Sequence, residues 1–200
     1  MTSFLKATIF VLMGLLVAPV VQANSTDAAT RHVRNLGDKA ITALGNTKSM
    51  SDADRDAEFR RLMKEGFDLP LIGRFVMGVH WRRATDAEKA EYVALFEDYV
   101  IKTYANRLTS YNDERFEVQA GKPDDDKDVI VTSLIHRPNG APIKVDWRVR
   151  ISGESPKVID VIVEGASMAI SQRSEFSSVI QNNGGQVGAL IKLLRDKVAK

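Results

Sequence analysis

A chain of 200 residues with no cysteine and a formal charge of only +2 has no disulfides, no thiolate chemistry and no Cys-type zinc site, so its core alone must hold it together. Its charges are nearly balanced and interspersed, which excludes the basic footprint of a nucleic-acid-binding protein. No Pro-, Ser- or Gly-rich linker interrupts it, and that leaves one domain.

The first residues form an export pattern. Lys6 gives a short positive head, residues 7–21 are apolar apart from Thr8, Gly14 and Pro19, and Val21-Gln22-Ala23 is a small-residue cleavage site. The apolar run is shorter than the roughly 20 residues of a spanning helix. Residues 1–23 therefore read as a cleaved signal peptide and 24–200 as one periplasmic α+β domain.

Helices come first. From Thr26 to Leu44, the residues Ala29, Val33, Leu36, Ala40 and Leu44 recur at helical spacing. A second helix follows the Ser51 cap to Gly66, with Phe59, Leu62 and Met63 on its apolar face. Asp68-Leu69-Pro70 opens a third, which carries Leu71, Ile72, Phe75 and Val76. Thr85-Asp-Ala-Glu88 is a capping box, and the stripe behind it holds Tyr92, Leu95, Phe96, Tyr99, Val100, Tyr104, Leu108 and Tyr111.

After Asn112-Asp113 the period changes to two. Four strands are predicted at Phe116–Ala120, Val129–His136, Ile143–Ile151 and Lys157–Glu164. The third alternates cleanly, with Val145, Trp147 and Val149 on one face and Lys144, Asp146, Arg148 and Arg150 on the other. The short turns between strands make neighbours antiparallel. Helical spacing returns at Ser174–Asn182 and Val187–Val198, separated by Gly184-Gly185. The fold expected is α+β: a four-stranded antiparallel curved sheet, covered by N- and C-terminal helices and enclosing an apolar pocket.

No catalytic or metal-binding motif emerges. His32, His80 and His136 lack ligand-like spacing and read as surface or boundary residues. Asp124, Asp126 and Asp128 match the start of an EF-hand loop, but the required Gly is Val129 and the twelfth residue is Ile135, so the run reads as a solvated hairpin. Asp146 and Asp160 are the candidates for an enzyme on a cone-shaped sheet, although strand alternation places both on polar faces.

Lys144-Val-Asp-Trp-Arg-Val-Arg150, the run Lys157 to Met168 and Arg173-Ser-Glu-Phe176 together resemble the MlaC family, the toluene-tolerance auxiliary proteins. Gly73 to Trp81, Ala84 to Glu88 with Phe96 and Tyr104, and Asn183-Gly-Gly185 extend the likeness in order. A hopanoid-associated branch of the family is similar too. The resemblance implies a periplasmic phospholipid carrier without a cofactor. Its partners would be an inner-membrane ABC transporter with a mammalian-cell-entry-type ring and an outer-membrane lipoprotein complex.

A carrier of that kind needs a dry pocket. The matching apolar positions are Val145, Trp147 and Val149 on one strand and Val161 and Val163 on the next. Phe75, Trp81, Phe96, Val100 and Tyr104 would close it from the helices, with Val131 and Met168 at its edges. Arg173 is expected to anchor a carboxylate such as Glu164, and Arg74, Arg82 and Arg83 to form a solvated face, with an anionic membrane or partner surface as the alternative. A small enzyme, or an adaptor without cargo, are the competing readings.

Overall fold

The computed structural model describes residues 19–46, 50–108, 114–152 and 155–199. The expected signal segment up to residue 18 and the end of the fourth predicted helix at Tyr111 lie outside them. Helix α1 (Pro19–Asn46) starts upstream of the predicted cleavage site after Ala23. It is followed by α2 (Asp52–Gly66), α3 (Leu69–Met77), a 3₁₀ turn at Gly78–Arg82 and α4 (Asp86–Leu108).

Local chemistry sets these boundaries. Ser51 Oγ accepts the Asp54 amide at 3.2 Å, and Asp68 Oδ1 accepts that of Leu71 at 3.0 Å, with Pro70 in the first turn. At α4 the capping box is reciprocal: the Glu88 amide donates to Thr85 Oγ1 at 3.2 Å, and the Thr85 amide to Glu88 Oε2 at 2.8 Å.

Strands β1 (Arg115–Pro123), β2 (Asp128–His136), β3 (Ile143–Arg150), β4 (Lys157–Val163) and β5 (Ala166–Ser167) form one antiparallel meander in chain order. The sheet thus has five strands, where four were expected. The fifth exists because Glu164 and Gly165 adopt φ of 49° and 85°, the left-handed pair of a two-residue hairpin turn. Helix α5 (Met168–Asn182) then begins one turn and more before the expected Ser174, because Ser167 Oγ caps it through the Ile170 amide at 3.1 Å. Helix α6 (Val187–Val198) closes the chain.

Two bulges bend the sheet. One breaks the β1–β2 register between Val118 and Gly121, and the other leaves Ile159 without a partner between Val158 and Asp160. The second turns Val158 to the same face as Val161, against the simple alternation.

That concave face is covered unevenly. Over one end lies α1, whose Ala29 and Val33 are buried against Val129, Val131, Val149 and Val158. The approach is close enough that the Thr30 hydroxyl takes the Gly121 amide at 3.2 Å, and a Cβ on Gly121 would meet it at 2.9 Å. A second core joins α3, α4, α5 and α6 around Tyr92, Phe96, Phe176, Ile180 and Leu190. Of the C-terminal helices, α5 packs on β4, whereas α6 packs on α4 and α5.

Candidate functional site: an apolar cavity between sheet and helices

Beyond the end that α1 fills, the sheet and helices stand apart around a cavity of about 680 Å³. Its sheet wall is Phe116, Ile135, Val145, Trp147, Val161 and Val163. Opposite stand Leu36, Ala40 and Ile41 of α1, Phe59, Leu62 and Met63 of α2, and Ile72 and Val76 of α3. Phe96, Val100 and Tyr104 of α4, Met168 and Ala169 of α5, and Gly37, Phe67 and Leu69 also line it. The polar side chains on its border are Tyr104, Glu114, Asp160 and Gln172. Among the described residues no lysine or arginine lines it.

Eight of the apolar positions proposed from sequence surround this space: Phe96, Val100, Tyr104, Val145, Trp147, Val161, Val163 and Met168. Four do not. Val131 and Val149 point to the concave face as alternation requires, but they sit under α1 in solid packing. Trp81 packs edge-on against Tyr92, with ring centroids 6.4 Å apart, in the helical core. Phe75 is on the outer side of α3 and 43% exposed.

The walls contributed by α1 and α2 are not legible in the sequence as cavity walls. Their amphipathic stripes marked them as helices packed on something. Nothing in the spacing says that the something is a hollow.

Polar groups near the cavity are turned away from it or engaged. Trp147 Nε1 donates to Ser133 Oγ at 2.8 Å. Tyr99 Oη donates to Gln172 Oε1 at 3.4 Å, and the buried Tyr92 hydroxyl to the Gly73 carbonyl at 2.9 Å. Burial pushes the Tyr92 hydroxyl far above the ordinary phenol range.

Asp160 does border the cavity, although alternation put it on the polar face. Its carboxylate takes the Ser167 hydroxyl at 2.6 Å and the Ala169 and Val161 amides at 3.0 and 2.8 Å, so it fastens the start of α5 to β4. Asp146 lies outside the cavity, on the convex face. Burial pushes its carboxyl up, but the Thr132 hydroxyl at 2.6 Å and the Lys144 ammonium at 2.9 Å outweigh that and hold it below the usual range. That is opposite to the raised value a general acid needs.

Other expectations are revised by their partners. Glu164 Oε1 takes the Lys144 amide at 2.6 Å, and Arg173 instead lies over the Phe75 ring, 5.2 Å from its centroid. In the acidic run, Asp125 Oδ1 caps the hairpin through the Lys127 and Asp128 amides at 2.7 Å. Asp128, however, is buried and bridged by Arg150 rather than solvated. His80 is buried too, with Nε2 3.2 Å from Ser177 Oγ and no partner for Nδ1 among the described residues. His32 Nε2 donates to the Gly66 carbonyl at 3.0 Å, and His136 stands 3.0 Å from Glu117. Among the described residues no cluster of side chains suited to a metal ion occurs.

Comparison with known proteins places this architecture. The chain is 29% identical over 154 residues to the toluene tolerance protein ttg2D of Pseudomonas putida, a match that covers 76% of this chain and 71% of that protein. The structure is similar to that of a phospholipid-binding protein from Ralstonia solanacearum, solved in complex with a phospholipid. Its TM-score is 0.70 at 26% identity, over 86% of this chain and 97% of the other. The sequence profile of the MlaC protein family matches residues 34–196, which include every residue named above as lining the cavity, and the chain belongs to that family.

Proposed function

We propose that this protein binds the acyl chains of a phospholipid in the cavity and carries it through the periplasm. One observation carries the reading: an apolar space of about 680 Å³ that, among the described residues, is bordered by four polar side chains. Its size suits hydrocarbon. An apolar protein cavity of about 150 Å³ holds benzene, about 25 Å³ per carbon, so this one has room for about 27 carbons on that scale. Two acyl chains of ordinary length come close to that number.

Its energetics suit it as well. At about 0.8 kcal/mol per buried CH₂, filling the space withdraws about 20 kcal/mol of gross hydrophobic free energy from water. A bare lipid bears that cost when it leaves a membrane, and a dry pocket removes most of it. With no cationic side chain among the described residues of the wall, the tails supply the grip and the headgroup stays outside. The relative solved with phospholipid and the family membership support the same reading.

In this reading the export signal places the carrier between an inner-membrane ABC transporter with a mammalian-cell-entry-type ring and an outer-membrane lipoprotein complex, and it exchanges lipid with both. No chemical step is assigned to it. A hopanoid, as a different apolar cargo, is distinguished by the same assay that tests the function. Organic extraction of the purified mature protein, followed by mass spectrometry, is expected to release near-stoichiometric phospholipid. A protein that emerges empty and stays empty after incubation with phospholipid vesicles overturns the reading. Trp147→Asp, which sets a charge into the dry wall, is expected to strip the lipid from an otherwise folded chain.

A further inference from the structure

Of the four large hydrophobic side chains that stand exposed among the described residues, three lie together. Phe75, Val79 and Ile170 are 43, 52 and 58% exposed. Phe75 is in the last turn of α3, Val79 in the 3₁₀ turn that follows and Ile170 in the first turn of α5. Arg173 ties them into one surface. Its guanidinium lies on the Phe75 ring and against Gly78, where a Cβ would meet Arg173 Nε at 2.8 Å, and it stands one helical turn from Ile170.

The surroundings are cationic. Between Asp68 and Asp86 the chain has no acid, yet it carries Arg74, Arg82 and Arg83, all exposed. Arg74 and Lys89 both stand 5.9 Å from the centre of the Trp81 ring. The acids at the margin, Asp86, Glu88 and Glu175, are outnumbered by Arg74, Arg82, Arg83, Lys89 and Arg173.

We propose that this outer face of α3 and α5 docks onto anionic phospholipid bilayers. Apolar tips that project from helix ends, rather than from a groove, suit shallow insertion at the level of the headgroups. Arginines around them can lay their alkyl stems along the same apolar zone while the guanidinium groups meet lipid phosphates. An acidic protein surface would match the charges alone. The bilayer matches the charges and the three apolar tips together. The inference stands whatever the cavity holds, although the inner faces of the same two helices, through Ile72, Val76, Met168 and Ala169, form part of the cavity wall.

Flotation of the full mature protein with vesicles tests it. Binding is expected to vesicles that mix phosphatidylglycerol into phosphatidylcholine and not to phosphatidylcholine alone. It should fade as salt rises from about 0.1 M to about 1 M, where screening shortens from about 10 to about 3 Å. Arg82→Gln with Arg83→Gln should weaken it by about fivefold per charge, and Phe75→Ser with Ile170→Ser by about tenfold or more. Both pairs should keep the circular dichroism and the co-purified lipid of the parent, whereas folded Trp147→Asp should lose lipid and keep vesicle binding. Absence of flotation with anionic vesicles, equal flotation with neutral ones, or parent-like binding by both patch variants overturns the proposal. If the patch variants instead lose only binding to an acidic protein partner, the face is a protein interface and the bilayer assignment falls.

Discussion

The indole N–H of Trp147 donates to Ser133 Oγ at 2.8 Å, and that hydroxyl donates onward to the Val145 carbonyl at 3.3 Å. Ser133 is fully buried. The indole nitrogen is thereby satisfied within the strand layer. Trp147 can then present ring carbon to the cavity, with Phe116 edge-on at 6.1 Å and Phe67 at 6.4 Å between centroids.

Ser133→Ala leaves that N–H without its acceptor in a place water does not reach. The expected cost is about 1–3 kcal/mol, read as a lower urea midpoint with an unchanged slope. A parent-like midpoint would show that the hydroxyl contributes nothing to the wall.

Gly37 lies where α1 meets Phe116, and a Cβ there would collide with the phenyl ring. Gly37→Ala gains about 1 kcal/mol of helix propensity but incurs about 1–3 kcal/mol of overpacking, so net destabilisation is expected. Phe116 has the cavity to move into. Reduced lipid content at modest thermal cost is the outcome to look for, and a more stable, fully loaded variant contradicts it.

Asp128 is only 2% exposed, and Arg150 grips it with two bonds, Nε and Nη2 donating at 2.7 and 2.8 Å. Arg148 is 4.0 Å away and nearer to Asp124, at 2.7 Å. Arg150→Met strands a buried carboxylate, at about 3–5 kcal/mol, which lowers Tm by about 10 °C in a chain of this size. Arg150→Lys keeps the charge but loses the fork, and calorimetry should place it in between.

Tyr92 supplies an alkaline signature. Unfolded tyrosine loses its proton near pH 10, whereas burial raises the folded group well beyond that. Above pH 10 the unfolded state therefore binds fewer protons and stability falls as pH rises. Ultraviolet titration should show the Tyr92 phenol ionising only with unfolding. Tyr92→Phe should flatten the alkaline stability loss, with a cost at neutral pH of about 1 kcal/mol.

Much of this fold is legible in local pattern. The 3.6-residue stripes and caps mark the helices, and the alternation from Ile143 to Ile151 marks the inner and outer faces of β3. The obscure parts depend on contacts distant in sequence. Ile159 reads as one more alternating residue, and only pairing with β3 shows that it is a bulge and that Val158 faces inward. Val131 and Val149 have the same type and face as Val145 and Val161. What separates solid core from cavity wall is which end of the sheet α1 overlies, and Ala29 or Val33 does not announce that position. Phe75 shows the converse. Its helical spacing resembles that of Ile72 and Val76, but it falls on the flank where Arg173 takes its ring.

The division of the concave face has a mechanical consequence. Where α1 meets Val129, Val131, Val149 and Val158, the interlock is complete without any guest. Folding and filling are separate events in such a design: the sealed half is a keel that keeps the strands in register, and the open half can empty and refill while the frame stays standing.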